Sequence, residues 1–200
     1  MVAGLRTTKP GDEAVADDLF EATAFLRRFS SGTANQRSRL VRKAPFAAIQ
    51  TAALRHPNAF VRRGCLFFLD HYANDQSMAV FGEALHDPVD FVRNMALHAL
   101  ACEACKTTEL CAADVVPGLI TVLESDPSVE MRTKVIPLLL RLQGLDERAR
   151  AAVERAALSD SDRLIRQAAG DGLAGRFIPP RKRYERSQRR HARTAARIPS

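Results

Sequence analysis

The sequence predicts an all-α protein: about four helix pairs stacked side by side, an N-terminal capping helix and a disordered basic C-terminal tail. Three observations predict it. The 200 residues are 46% apolar but only 6% aromatic, with no Trp, and Ala, Leu, Arg and Val dominate, a helical rather than a β-rich composition. Apolar residues recur at helical spacing. That spacing itself recurs four times along the chain.

The four segments align without gaps, opening at Pro57, Pro88, Pro127 and Ser161. Four residues on stand Val61, Val92, Met131 and Ile165; eight on, Cys65, Ala96, Val135 and Ala169; twelve on, Leu69, Leu100, Leu139 and Leu173. Residues at 4, 8 and 12 share one helical stripe, so these positions are the expected core. Five on, every segment has Arg: Arg62, Arg93, Arg132 and Arg166. Asp87, Asp126 and Asp160 precede three of the openings, and Asp followed by Pro reads as an N-cap and first helical residue.

A shorter amphipathic helix is predicted ahead of each, over 45–55, 76–85, 113–123 and 147–158. One such pair cannot bury its apolar side alone, so pairs must stack. A further helix over 12–29, with Val15, Leu19, Leu26 and Phe29 inward, would cap the first pair. The resulting division is 1–44, capping helix and basic linker; 45–175, repeat array; 176–200, basic tail.

The pattern Asp-Pro-x-x-x-Val-Arg-x-x-Ala, complete at Asp87–Ala96, resembles the bacterial HEAT-like repeats of the PBS-lyase type, over about residues 45–175. The resemblance implies a right-handed α-α superhelix. It also implies a ladder of Asp and Arg between successive repeats, matched by Asp87/Arg93, Asp126/Arg132 and Asp160/Arg166. The first repeat departs, with His56 in place of Asp. Fold of this kind implies little about activity.

The longest repeat interval, 39 residues against 31 and 34, holds His98, Cys102, Cys105 and Cys111. His98, Cys102 and Cys105 are spaced i, i+4 and i+7, one narrow stripe of a helix and well away from the core stripe. One imidazole and three thiolates form a tetrahedral zinc set, and four protein ligands make it structural rather than catalytic. Incidental thiols at an Ala-rich helix end, or a redox pair, remain open readings. Cys65 sits on the core stripe and reads as packing.

Charge is unevenly placed. Residues 31–63 hold seven basic groups and no acid, residues 64–175 ten basic and seventeen acidic, and residues 176–200 nine basic groups against Glu185 alone. A like-charge run of the last kind is usually an interaction tail. Arg37, Arg39, Arg42 and Lys43, with Arg181, Lys182, Arg183, Arg189 and Arg190 of the tail, are candidate contacts to nucleic acid or to an acidic partner. The tail folding back on the chain's own acidic repeats is the alternative.

Catalysis is not expected. There is no Gly-rich phosphate loop, Gly-x-Ser-x-Gly elbow or His-Glu-x-x-His. HEAT-like di-iron hydroxylases carry His-Glu pairs and HEAT-like alkylpurine glycosylases use Trp; this chain has neither. No apolar run approaches bilayer length and residues 1–10 lack a signal-like apolar stretch, so the expectation is a soluble, cytoplasmic chain with no membrane partner. Two functions remain: a protein-binding scaffold or adaptor, with or without a structural zinc clip, and a nucleic-acid-associated protein held through 31–63 and the tail.

Overall fold

The computed structural model describes residues 10–72, 77–101, 112–144 and 146–176. Among these residues there are ten helices and no strand. The chain divides into two compact units, Met1–Ala99 and Leu100–Ser200. No helix among the described residues is long and apolar enough to cross a membrane.

The first unit contains α1 (Pro10–Ser31), α2 (Ala34–Val41), α3 (Phe46–Arg55), α4 (Ala59–His71), α5 (Ser77–Ala84) and most of α6 (Asp90–Ala101). Helix α3 packs against α1, α4 and α5. Its buried residues are Ala48, Ile49, Ala52 and Ala53, small enough to let the neighbouring helices approach closely. Phe68 of α4 is the hub. Phe25 and Phe29 of α1 meet it edge-on, with ring centroids 5.0 and 5.2 Å away, and Phe46 and Tyr72 lie at 5.9 and 5.0 Å. Edge-to-face pairs of this kind add to the area term of burial.

The second unit contains α7 (Ala112–Ser125), α8 (Val129–Leu142), α9 (Glu147–Ser159) and α10 (Arg163–Leu173). Here α7 packs on α8 and α9, and α10 on α9 and α8, so first helices meet first helices and second helices meet second. Gly172 belongs to this packing. A Cβ there would stand 2.6 Å from Leu140 Cδ1 and 3.4 Å from Ile136 Cγ2.

The core stripe is where the repeat predicts it, with two departures. Cys65, Ala96, Val135 and Ala169 are fully buried, as are Val92, Ile165, Leu69 and Leu139, and Leu100 and Met131 nearly so. Val61 and Leu173 are only half-buried. Both stand at an edge: Val61 faces a groove beside α1, and Leu173 ends the last described helix. The capping helix also differs from expectation. Its buried residues are Ala22 and Phe25, while Val15, Leu19, Leu26 and Phe29 are half-buried. Residues 34–41, expected within a basic linker, form α2. Thr33 Oγ1 accepts from Gln36 N–H and Gln36 Oε1 accepts from Thr33 N–H, a reciprocal capping box. No residue of α2 is buried, so no apolar stripe announced it.

The turn between paired helices corrects the expected caps. The N-caps are Asn58, Ser128 and Asp162, so Asp126 and Asp160 stand two residues earlier and Pro57 and Pro127 lie in the turn, not in the first turn of the helix. Asp87, Asp126 and Asp160 instead each accept a hydrogen bond, at 2.8 Å, from the backbone N–H two residues on, an Asx turn. At Asp87 and Asp160 the carboxylate also takes an Arg from the preceding pair. Arg62 donates through Nε to Asp87 Oδ2 at 2.6 Å and through Nη2 to Oδ1 at 2.9 Å. Arg132 reaches Asp160 at 2.9 and 3.1 Å. The Arg at position five closes the turn from inside: Arg93 donates to the Asp87 carbonyl at 2.9 Å and Arg166 to the Asp160 carbonyl at 2.6 Å.

The first repeat achieves the same turn with His56. Its Nδ1 accepts from Asn58 N–H at 3.0 Å and its carbonyl accepts from Arg62 at 2.8 Å. With Nδ1 an acceptor, Nε2 carries the proton and donates to Thr23 Oγ1 of α1, 3.3 Å away. Thr23 already donates its hydroxyl proton to the Leu19 carbonyl at 2.7 Å, so its oxygen is left as an acceptor, which an imidazole N–H meets and a carboxylate would not.

Arg62 and Asp87 are nearly buried, at 9% and 5% side-chain exposure, and donating its hydrogen bonds to Asp87 holds the Arg62 guanidinium still more firmly protonated than usual. Removing one partner strands the other's charge. Asp87→Ala is therefore expected to cost about 3–5 kcal/mol in urea unfolding, and Glu130→Ala, which breaks the exposed Lys134–Glu130 pair, less than about 0.5 kcal/mol.

Candidate functional site

Of the four predicted metal ligands, only His98 lies within the described residues; Cys102, Cys105 and Cys111 fall outside them. His98 is on α6 with its side chain 56% exposed, and Nε2 is 3.4 Å from Oδ2 of Asp70, a fully buried carboxylate on α4. His71 Nδ1 approaches the same oxygen at 3.8 Å and makes its shorter contact, 3.0 Å, with the Phe67 carbonyl. Among the described residues, no group of three or more His, Cys, Asp and Glu is placed to hold a metal ion.

The four candidate basic residues of the N-terminal region are all exposed. Arg37 and Arg39 stand on α2, Arg42 is its C-cap, and Lys43 follows. They belong to a longer carboxylate-free span, because no Asp or Glu occurs between Glu21 and Asp70, while nine Lys and Arg do. Arg62 is the one of these taken into the Asp87 pair. Arg181, Lys182, Arg183, Arg189 and Arg190 lie outside the described residues.

The structure adds a feature that the core stripe does not contain. Phe60, Arg63, Phe67 and His71 run up the outer side of α4. Phe60 is 75% exposed and Phe67 48%. Phe91 on α6 stacks on Phe60, ring centroids 5.1 Å apart and planes 28° from parallel. Two grooves flank this file. One, of about 420 Å³, lies between α4 and α6 and is lined by Arg63, Phe67, Phe91, Asn94, Met95 and His98. The other, of about 600 Å³, lies between α1 and α4. Leu26, Phe29, Phe60, Gly64 and Phe67 form its apolar wall, with Arg27 and Arg37 beside them.

A signal for this face was present in the repeat. Phe60 and Phe91 both stand three residues after the opening Pro, and Phe67 and His98 both stand ten after it. Positions three and ten are two turns apart and outside the 4, 8 and 12 stripe. The second unit has Glu130 and Pro137, then Leu164 and Asp171, at those places, so the aromatic file belongs to the first unit.

No family model matches the chain, and neither a curated protein nor a solved structure matches it.

The remaining described cysteine has a different chemistry from a ligand or a redox thiol. Cys65 is fully buried among apolar side chains, and the loss of solvation pushes its thiol up to about 12. The folded chain thus prefers the protonated form, so this contribution to stability is intact below the unfolded pKa, near 9.0, and is lost as pH rises toward about 12. Two outcomes are expected. Alkylating reagents leave Cys65 unlabelled until the chain is unfolded, as peptide mapping would show. And the stability difference between the wild type and Cys65→Ala narrows above pH 9.0, at up to about 1.4 kcal/mol per pH unit.

Proposed function

We propose that the chain is a non-catalytic HEAT-like scaffold, a right-handed α-α superhelix whose second helices present a protein-binding face. The exposed aromatic file of Phe60, Phe67 and Phe91 is the observation that carries this reading. Large apolar side chains in a contiguous exposed row mark interaction surfaces, since water contact with them is costly and a partner relieves it. The groove between α4 and α6 adds Arg63, Asn94 and His98 beside the rings as polar contacts for such a partner. Stacked helix pairs whose Asp–Arg contacts run from one pair to the next support the superhelical reading. A cytoplasmic setting accords with it.

A second reading, contact with nucleic acid, draws on the carboxylate-free span of Ala22 to Leu69 and the exposed Arg37, Arg39, Arg42 and Lys43. The two part in solution. Affinity capture on the full-length chain and on a chain lacking residues 176–200, each with and without nuclease, distinguishes them. The scaffold reading expects a protein partner that survives both treatments and is lost with Phe91→Ser. Capture abolished by nuclease, with affinity falling steeply with salt, would replace it with the nucleic-acid reading.

The zinc clip of His98, Cys102, Cys105 and Cys111 belongs to the same proposal. Asp70 beside His98 Nε2 supports it, because a carboxylate on one imidazole nitrogen orients the ring and leaves the other for a metal. Purified protein is expected to carry about one zinc per chain, lost in Cys102→Ser and Cys105→Ser together with thermal stability. Zinc-free protein, or variants as stable as the wild type, would remove the clip.

A further inference from the structure

The ring-bearing side of α4 has cations on both banks. Phe60 and Phe67 stand seven residues apart, one line along the helix. At about 100° per residue, Gly64 and Arg63 fall about 50° to opposite sides of that line. On the Gly64 side lies the groove between α1 and α4, whose lining includes Arg27 and Arg37. On the other side Arg63 and His98 line the groove toward α6. Neither groove has a carboxylate among its lining residues, and Asp70, behind His98, is fully buried. Arg27, Arg37 and Arg63 are exposed, and among the described residues no carboxylate engages them.

The geometry points to an acidic amphipathic helix of a partner protein as the occupant of the α1–α4 groove. The face is that of the scaffold reading, on which this assignment of its partner rests. The helix lies along α4 with apolar side chains at i, i+3 or i+4 and i+7 on Leu26, Phe29, Phe60 and Phe67, a row that matches the two turns between the rings. Its carboxylates meet Arg27 and Arg37 on the α1 bank and, over the ridge of rings, Arg63. Gly64 keeps the floor between the rings low, since a Cβ there would already touch Leu26 Cδ1 at 3.5 Å. A helix fits better than an extended segment, whose backbone would need a strand edge to pair with; the described residues have no strand. The groove's own uncharged polar side chains are Thr23 and Ser30, and the Thr23 hydroxyl proton goes to the Leu19 carbonyl. Nucleic acid, the other polyanion, suits the face less. Base stacking needs an open ring, whereas Phe60 is stacked on Phe91 and the Phe67 centroid lies 4.5 Å from that of His71.

The test is a phage library of random peptides of about 16 residues, roughly four helical turns, panned on the full-length, nuclease-treated chain. The enriched peptides are expected to be net acidic, with apolar residues at i, i+3 or i+4 and i+7. Measured as synthetic peptides by fluorescence anisotropy, their affinity is expected to fall by about tenfold or more in Phe67→Ser, in Gly64→Leu, which fills the floor, and in Arg27→Glu with Arg37→Glu. It is also expected to fall between about 50 and about 500 mM salt, where surface charges are screened. Arg55→Glu, at an exposed cation of α3 outside both grooves, is expected to leave it unchanged. Far-UV circular dichroism checks that each variant is folded. Neutral or basic peptides that need Phe67 overturn the acidic partner and leave the scaffold reading standing. Acidic peptides indifferent to Arg27→Glu with Arg37→Glu, as any held by residues 177–200 alone would be, overturn it too. So does failure to enrich any peptide, and an oligothymidylate bound instead and lost with Phe67→Ser would give the face to nucleic acid. In every case the affinity capture with Phe91→Ser decides the scaffold reading by itself.

Discussion

The turns before α6 and α10 each depend on a carboxylate with two duties. Asp87 and Asp160 each accept a backbone N–H of their own turn and an Arg from the preceding helix pair. The first bond fixes the local chain reversal, and the second fixes where the next pair stands. Taken alone, a buried ion pair is weak evidence of net stability, since desolvating both charges offsets most of their attraction. Its value here is positional. The Arg62 fork and the Asp87 carboxylate match in only one arrangement, and a pair shifted by one helical turn would leave a charge without its counterpart in a dry place. Apolar stripes alone would tolerate such sliding. The Asp–Arg contact sets the register in which Leu, Val and Ala then pack.

The edge of the first repeat shows the same constraint from the other side. Where the preceding element is α1, which offers Thr23, the turn carries His56 in place of Asp. The imidazole keeps the backbone bond with Nδ1 and turns Nε2 to the hydroxyl. Because α1 is a cap and not another repeat, it does not cover the whole side of α4. Val61 is left half-buried and a groove opens beside Phe60 and Phe67. The groove and the exposed rings thus stand where α1, a single helix and not a helix pair, leaves part of α4 uncovered.

Electrostatics sort these surfaces further. The stretch from Ala22 to Leu69 has no carboxylate, whereas the first half of α1 is acidic. Two signs of charge therefore lie on the outer side of a single helix, separated by Phe20. Helix α2, held by its Thr33–Gln36 box and contributing no residue to the core, is the means by which Arg37 comes to stand beside Arg27. Its sequence is polar nearly throughout. An apolar-period reading cannot find such a helix, although the spacing of Thr33 and Gln36 was open to inspection.

The sequence by itself determined the helical class, the four second helices, the core at Cys65, Ala96, Val135 and Ala169, and the exposure of Arg37, Arg39, Arg42 and Lys43. These follow from local periodicity, which depends on neighbours within a few residues. Only tertiary structure decided that Asp87 caps a turn and not a helix, that Arg62 and not Arg93 forks onto its carboxylate, and that Phe60 and Phe91 stack. It also brought Asp70 to His98 and Arg37 to the edge of the α1–α4 groove. Each of these joins residues distant in sequence, where spacing carries no information and only the packing of one helix against another brings the groups together.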